Sequence, residues 1–152
     1  MTSARLGTAV PTWTRLFALA LSTEALAAGC ADATQAALND EWQKMMRCSG
    51  YYSLRAESVQ GSRTAAGRRT ADTAHADAAL TYRYSHELGR LGGHTLTDTD
   101  TVLREITDDL RDTIDADLSN IGRLRTRYED QCTTIVTGGG ARIEYWSVEL
   151  DD

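Results

Sequence analysis

Residues 97–137 read TDTDTVLREITDDLRDTIDADLSNIGRLRTRYEDQCTTIVT, and this stretch decides the fold. Thr97, Asp98, Thr99 and Asp100 supply capping side chains and negative charge where a helix N-terminus welcomes both. Val102, Ile106, Leu110, Ile114 and Leu118 then recur at steps of four, which places them on one face of a helix. The stripe continues through Ile121, Leu124 or Arg125, Tyr128, Cys132 and Ile135. The spacing predicts one helix over 98–137, bent near Gly122 and ended by Gly138-Gly139-Gly140.

Working outward, residues 31–59 show the same period. Leu38, Trp42, Met45, Ser49, Tyr52, Ala56 and Val59 share a face, Cys48 lies beside it, and Asp32 or Thr34 is the expected cap. Gly50 leaves room for a neighbouring helix to approach. No large apolar side chain occurs between Gln60 and Ala79. Gly61, Ser62, Gly67 and Arg68-Arg69 therefore read as a loop. A second helix is expected over 70–91, capped by Thr70 or Asp72, with Leu80, Tyr84, Leu88 and Leu91 as its face and Gly92-Gly93 as its stop. The last segment, Arg142 to Val148, alternates like a strand, but no partner strand is expected. It is read as a short tail that folds back and buries Trp146. The fold class that follows is all-α, a small bundle of three main helices covered by a C-terminal tail.

Such a bundle has a thin core. After residue 27 the chain holds only 20 Leu, Ile, Val and Phe residues, against a net charge of −7. That composition borders on disorder and calls for a covalent staple. Of the three cysteines, Cys48 and Cys132 fall on helix faces that meet if the first and third helices pack together. Their disulfide closes a loop of about 85 residues, worth about 4–5 kcal/mol on the chain-entropy model.

The N-terminus sets the compartment. Arg5 and Arg15 precede the apolar run Leu16–Leu21, and Ala25-Leu26-Ala27 supplies the small residues a signal peptidase requires. Residues 1–27 are thus expected to be a cleavable signal peptide, and residues 28–152 a single exported domain, periplasmic or secreted. A second reading competes here: Leu26-Ala27-Ala28-Gly29-Cys30 resembles a lipobox, which makes Cys30 a lipidation site and the protein a membrane-anchored lipoprotein. Glu24 and the position of Leu26 depart from that pattern.

Candidate sites are weighed against plainer roles. Glu105, Asp108, Asp112 and Asp115 share a helical face, yet a helix does not converge ligands as a calcium loop does. Arg123, Arg125 and Arg127 point in different directions, while Arg55, Arg63, Arg68 and Arg69 gather near the first loop. His75, His86 and His94 have no metal-site spacing, and no nucleophile elbow or phosphate loop is present. No cofactor, metal or catalytic residue is expected. The acidic balance disfavours nucleic acid, and membrane enters only through a lipid on Cys30. Tyr51, Tyr52, Tyr82 and Tyr84 are the expected contact surface, since aromatics are favoured at interfaces.

Three fragments, Cys48-Ser49-Gly50-Tyr51-Tyr52, Tyr128-Glu129-Asp130-Gln131-Cys132 and Arg142-Ile143-Glu144-Tyr145-Trp146, together resemble a loose set of small exported bacterial helical proteins. That set has no assigned activity, so the likeness brings no functional residues. The function expected from the sequence is a non-enzymatic exported module that binds a protein partner or an envelope component. The alternative is a periplasmic carrier of a small ligand or metal, using the bundle interior with His75, His86 or the acidic stripe.

Overall fold

The computed structural model describes the backbone of residues 14–150 and the side chains of residues 32–150. The residues on which the leader and Cys30 readings depend lie outside the described side chains. The chain divides into two units, Met1–Ala36 and Ala37–Asp152. The helices are α1 (Thr14–Val59), α2 (Ala65–Leu91), α3 (Leu96–Thr113) and α4 (Gly122–Glu149), with a 3-10 turn at Leu118–Asn120. Among the described residues there is no strand, and no helix is long and apolar enough to cross a membrane. The protein is all-helical, with four helices where three and a tail were expected.

In the second unit α1 is buried on more than the one face its period suggested. Met45, Met46 and every residue from Cys48 to Tyr52 are buried, so this stretch is enclosed all round. Each of the other helices touches it. The Ser49 hydroxyl donates to the Ala78 carbonyl of α2 at 3.1 Å. A Cβ at Gly50 would stand 2.9 Å from Thr107 Oγ1 of α3, so α3 does approach through the gap that Gly50 leaves. Cys132 of α4 is bonded to Cys48.

Helix α2 begins at Ala65 rather than near residue 70, because Thr64 caps it: the Gly67 amide donates to Thr64 Oγ1 at 3.0 Å. Its buried face is Ala71, Ala74, Ala78, Thr81, Ser85 and Leu88, at alternating steps of three and four. Only Leu88 of the expected apolar face is fully buried. Small side chains let α2 lie close against α1, and a reading keyed to large residues misses them.

The expected 98–137 helix is two helices. The first begins two residues earlier than expected: Thr95 is the N-cap, in a reciprocal capping box with Asp98. The stripe holds through Leu110 and Ile114, both buried. The chain then leaves the helix. The Asp115 amide bonds the Asp112 carbonyl, the Ala116 amide bonds the Arg111 carbonyl, and Asp115 and Ala116 have φ of 56° and 55°. This is a Schellman stop without glycine. It turns the chain back so that α4 can bring Leu124, Tyr128 and Cys132 onto the core. Glycine is instead present where no stop occurs. Gly138–Gly140 lie inside α4, because the Tyr84 ring of α2 packs where a Cβ of Gly139 would stand. The expected tail is the last part of the same helix, and its Trp146 is buried as anticipated.

The left-handed backbone at Ala116 gives a direct check. An L-residue with a Cβ costs about 1–2 kcal/mol there, whereas glycine does not. Ala116 is exposed. Ala116→Gly is expected to raise unfolding free energy by about 0.5–1 kcal/mol after the added unfolded-chain entropy is subtracted, measured by urea denaturation. A loss of stability would contradict the left-handed backbone at Ala116.

Candidate functional site

The disulfide fixes the geometry beside it. Cys48 and Cys132 are fully buried and have Cα atoms 5.3 Å apart. One helical turn further along α1 lies Tyr51, and one turn back along α4 lies Glu129, so the two face each other. The Tyr51 hydroxyl donates to Glu129 Oε2 at 3.0 Å. Arg55 Nη1 donates to Glu129 Oε1 at 2.7 Å, and Arg125 Nε to Oε2 at 2.9 Å. One carboxylate thus holds a phenol and two guanidiniums.

The electrostatics follow from that crowding. Burial alone pushes the Glu129 carboxyl up, but the Tyr51 hydroxyl and the two arginines pull it below its ordinary value. Burial, then the hydrogen bond it donates, holds the Tyr51 phenol well above its usual range. Across the α1–α2 gap, burial raises the Asp77 carboxyl while Arg55 partly offsets this.

Arg55 also forms one wall of an open cleft of about 470 Å³, lined on the α2 side by Ala66, Arg69, Thr70, Thr73, Ala74 and Asp77. The cleft exists because the N-terminal half of α2 carries small residues. Polar and charged groups stand along it at one-turn intervals. It is the candidate site, because Arg55 is fixed at its edge by Glu129 before any ligand arrives.

The residues singled out in the sequence fare unevenly. Cys48 and Cys132 form the expected disulfide. Tyr51 and Tyr52 are not a contact surface: they are 0% and 2% exposed, since α1 is enclosed and both rings fill core around the disulfide. Tyr82 and Tyr84 are half-buried, and both are engaged. The Tyr82 hydroxyl donates to Asp100 at 2.7 Å, and the Tyr84 ring covers Gly139. The acidic stripe Glu105, Asp108, Asp112 and Asp115 is exposed, with Asp115 paired to Arg123 at 2.7 Å. Arg123, Arg125 and Arg127 do diverge, toward Asp115, Glu129 and the Tyr128 ring. His94 stacks on Trp42 with ring centroids 3.8 Å apart, and His75 is exposed. Among the described residues no three His, Cys, Asp or Glu side chains gather as a metal site would require.

In the sequence Arg55 and Arg69 lie near the first loop, and helical period alone does not connect them to Glu129 or Asp77. The signal was available once the disulfide was assumed. With α1 and α4 antiparallel, residues three and seven beyond Cys48 must oppose residues three and seven before Cys132. Comparison with known proteins finds no matching family model, no similar curated protein and no similar solved structure.

Because the folded Glu129 pKa is depressed, its contribution is present above the unfolded-state value and is lost as pH falls through the folded one. Glu129→Gln is expected to cost about 1.5–3 kcal/mol at pH 7, the range for hydrogen bonds to charged groups. The gap between wild type and variant should close only in acid below the ordinary glutamate range, where the depressed wild-type carboxyl also protonates. Urea unfolding at the two pH values reads this; a gap unchanged in acid would contradict the arrangement.

Proposed function

We propose that the protein is an exported, non-enzymatic binding module of the cell envelope, acting through its α1–α2 face. The observation that carries this reading is the open cleft with Arg55 already held in place by Glu129. A side chain fixed before binding loses little freedom when a partner arrives, which is what a recognition site needs. The reading also draws on the disulfide, since such bonds persist in oxidising compartments and are rare in the cytosol. The signal peptide read over residues 1–27 belongs to the same picture, and lipid on Cys30 is the alternative form of attachment. The net charge of −6 argues against a polyanion such as nucleic acid as a general partner.

This reading replaces the tyrosine surface with a polar one. The partner is an envelope component that meets Arg55, Arg69, Thr73 and Asp77. Titration of the ¹⁵N-labelled, oxidised chain with soluble envelope extract tests it. Amide signals of Arg55 and of residues 66–77 are expected to shift or broaden selectively. Perturbation spread evenly over all four helices, or none, would overturn the assignment of this face.

A further inference from the structure

The charges lining the α1–α2 cleft do not cancel. Arg55 is matched by Glu129, which Arg125 also serves, and Asp77 sits within reach of the Arg55 field. The charged residues that line the cleft, Arg55, Arg69 and Asp77, leave one positive charge, on a chain whose net charge is −6. That surplus sits on Arg69, which has no acidic partner among the described residues.

Resting on the reading of this face as the binding surface, we propose that the cleft takes a hydroxylated monocarboxylate, the chemistry of a sugar acid, with the carboxylate on Arg69 and hydroxyls on Thr73 and Asp77. One carboxylate neutralises the surplus; a dianion would overcharge the cleft, and a cation would meet two guanidiniums. Guanidinium and carboxylate match in a two-pronged, charge-assisted bond. Asp77, partly desolvated, accepts from a ligand hydroxyl that replaces lost water. Thr70 gives its proton to the Ala66 carbonyl and keeps a lone pair for the ligand, while Thr73, which has no side-chain hydrogen-bond partner among the described residues, can donate or accept. Arg69 and Asp77 stand eight residues apart on one helix, about 12 Å along its axis, which suits a ligand of one or two sugar units. The cleft of about 470 Å³ falls within the range of small-molecule sites.

The test uses the oxidised full chain in calorimetric and NMR titrations at low salt. Sodium D-galacturonate and its dimer are the probes, with galactose and inorganic phosphate as comparators. The galacturonates are expected to bind and to shift the amides of residues 66–77, with galactose weaker by about tenfold or more, the worth of one charge-assisted pair. Arg69→Gln, a change at an exposed residue, is expected to weaken galacturonate binding by a similar factor and to leave galactose unaffected. Thr73→Val is expected to weaken the galacturonates by about threefold to tenfold, one neutral hydrogen bond, without affecting phosphate. Galactose binding as well as galacturonate would overturn the proposal, as would phosphate binding equally well. Failure of every probe at about 10 mM, near the weakest affinity worth calling specific, would overturn it too. If the galacturonates fail while envelope extract still perturbs the α1–α2 amides, the ligand class is wrong and the binding face stands; if both fail, both readings fall.

Discussion

The covalent bond between Cys48 and Cys132 joins two helices 84 residues apart in sequence, in a chain with few large apolar side chains. Its loop closure is worth about 4–5 kcal/mol on the chain-entropy model, comparable to the whole stability of many small domains. The bond also sets register. It holds α4 antiparallel to α1 at one height, which brings Glu129 opposite Tyr51 and allows Arg55 and Arg125 to converge on the same carboxylate. The core on either side is then filled in two groups of side chains. Tyr51, Tyr52, Leu124 and Tyr128 lie around the disulfide, and Trp42, Met45, Met46 and Trp146 lie nearer the other end of the unit.

From this register the candidate site follows. Glu129 is depressed by what it binds, so it stays charged and holds Arg55 steady at the edge of the cleft. The neighbouring half of α2 contributes small residues inward and polar ones outward. Its inner alanines permit the close packing that Ser49 records by bonding the Ala78 carbonyl. Its outer side is left with room between Arg55, Arg69 and Asp77. Packing against α1 and the opening of the cleft are two results of the same small side chains.

Much of the fold was legible because helices declare themselves by period. The stripe from Val102 to Ile114, the face around Trp42 and Met45, and the meeting of Cys48 with Cys132 were all readable. Three features were not. The break after Ile114 uses Asp115 and Ala116 in a conformation that glycine ordinarily supplies, so no residue announced it. The glycines at 138–140 announced a stop that the Tyr84 ring and the burial of Trp146 override. The enclosure of residues 48–52 was hidden because a stretch surrounded on all sides has no polar face, and the tyrosines at 51 and 52 read as surface. The cleft depends on which polar residues of different helices meet, and period alone does not say that.

The central claim is that the disulfide holds this thin core together and fixes α4 against α1. Guanidinium unfolding of the oxidised protein, followed by circular dichroism and compared with the Cys48→Ala/Cys132→Ala double variant, tests it most directly. A loss of about 3–5 kcal/mol on removing the bond is the expected result. A loss below about 1 kcal/mol, within the range of an ordinary surface substitution, would contradict it.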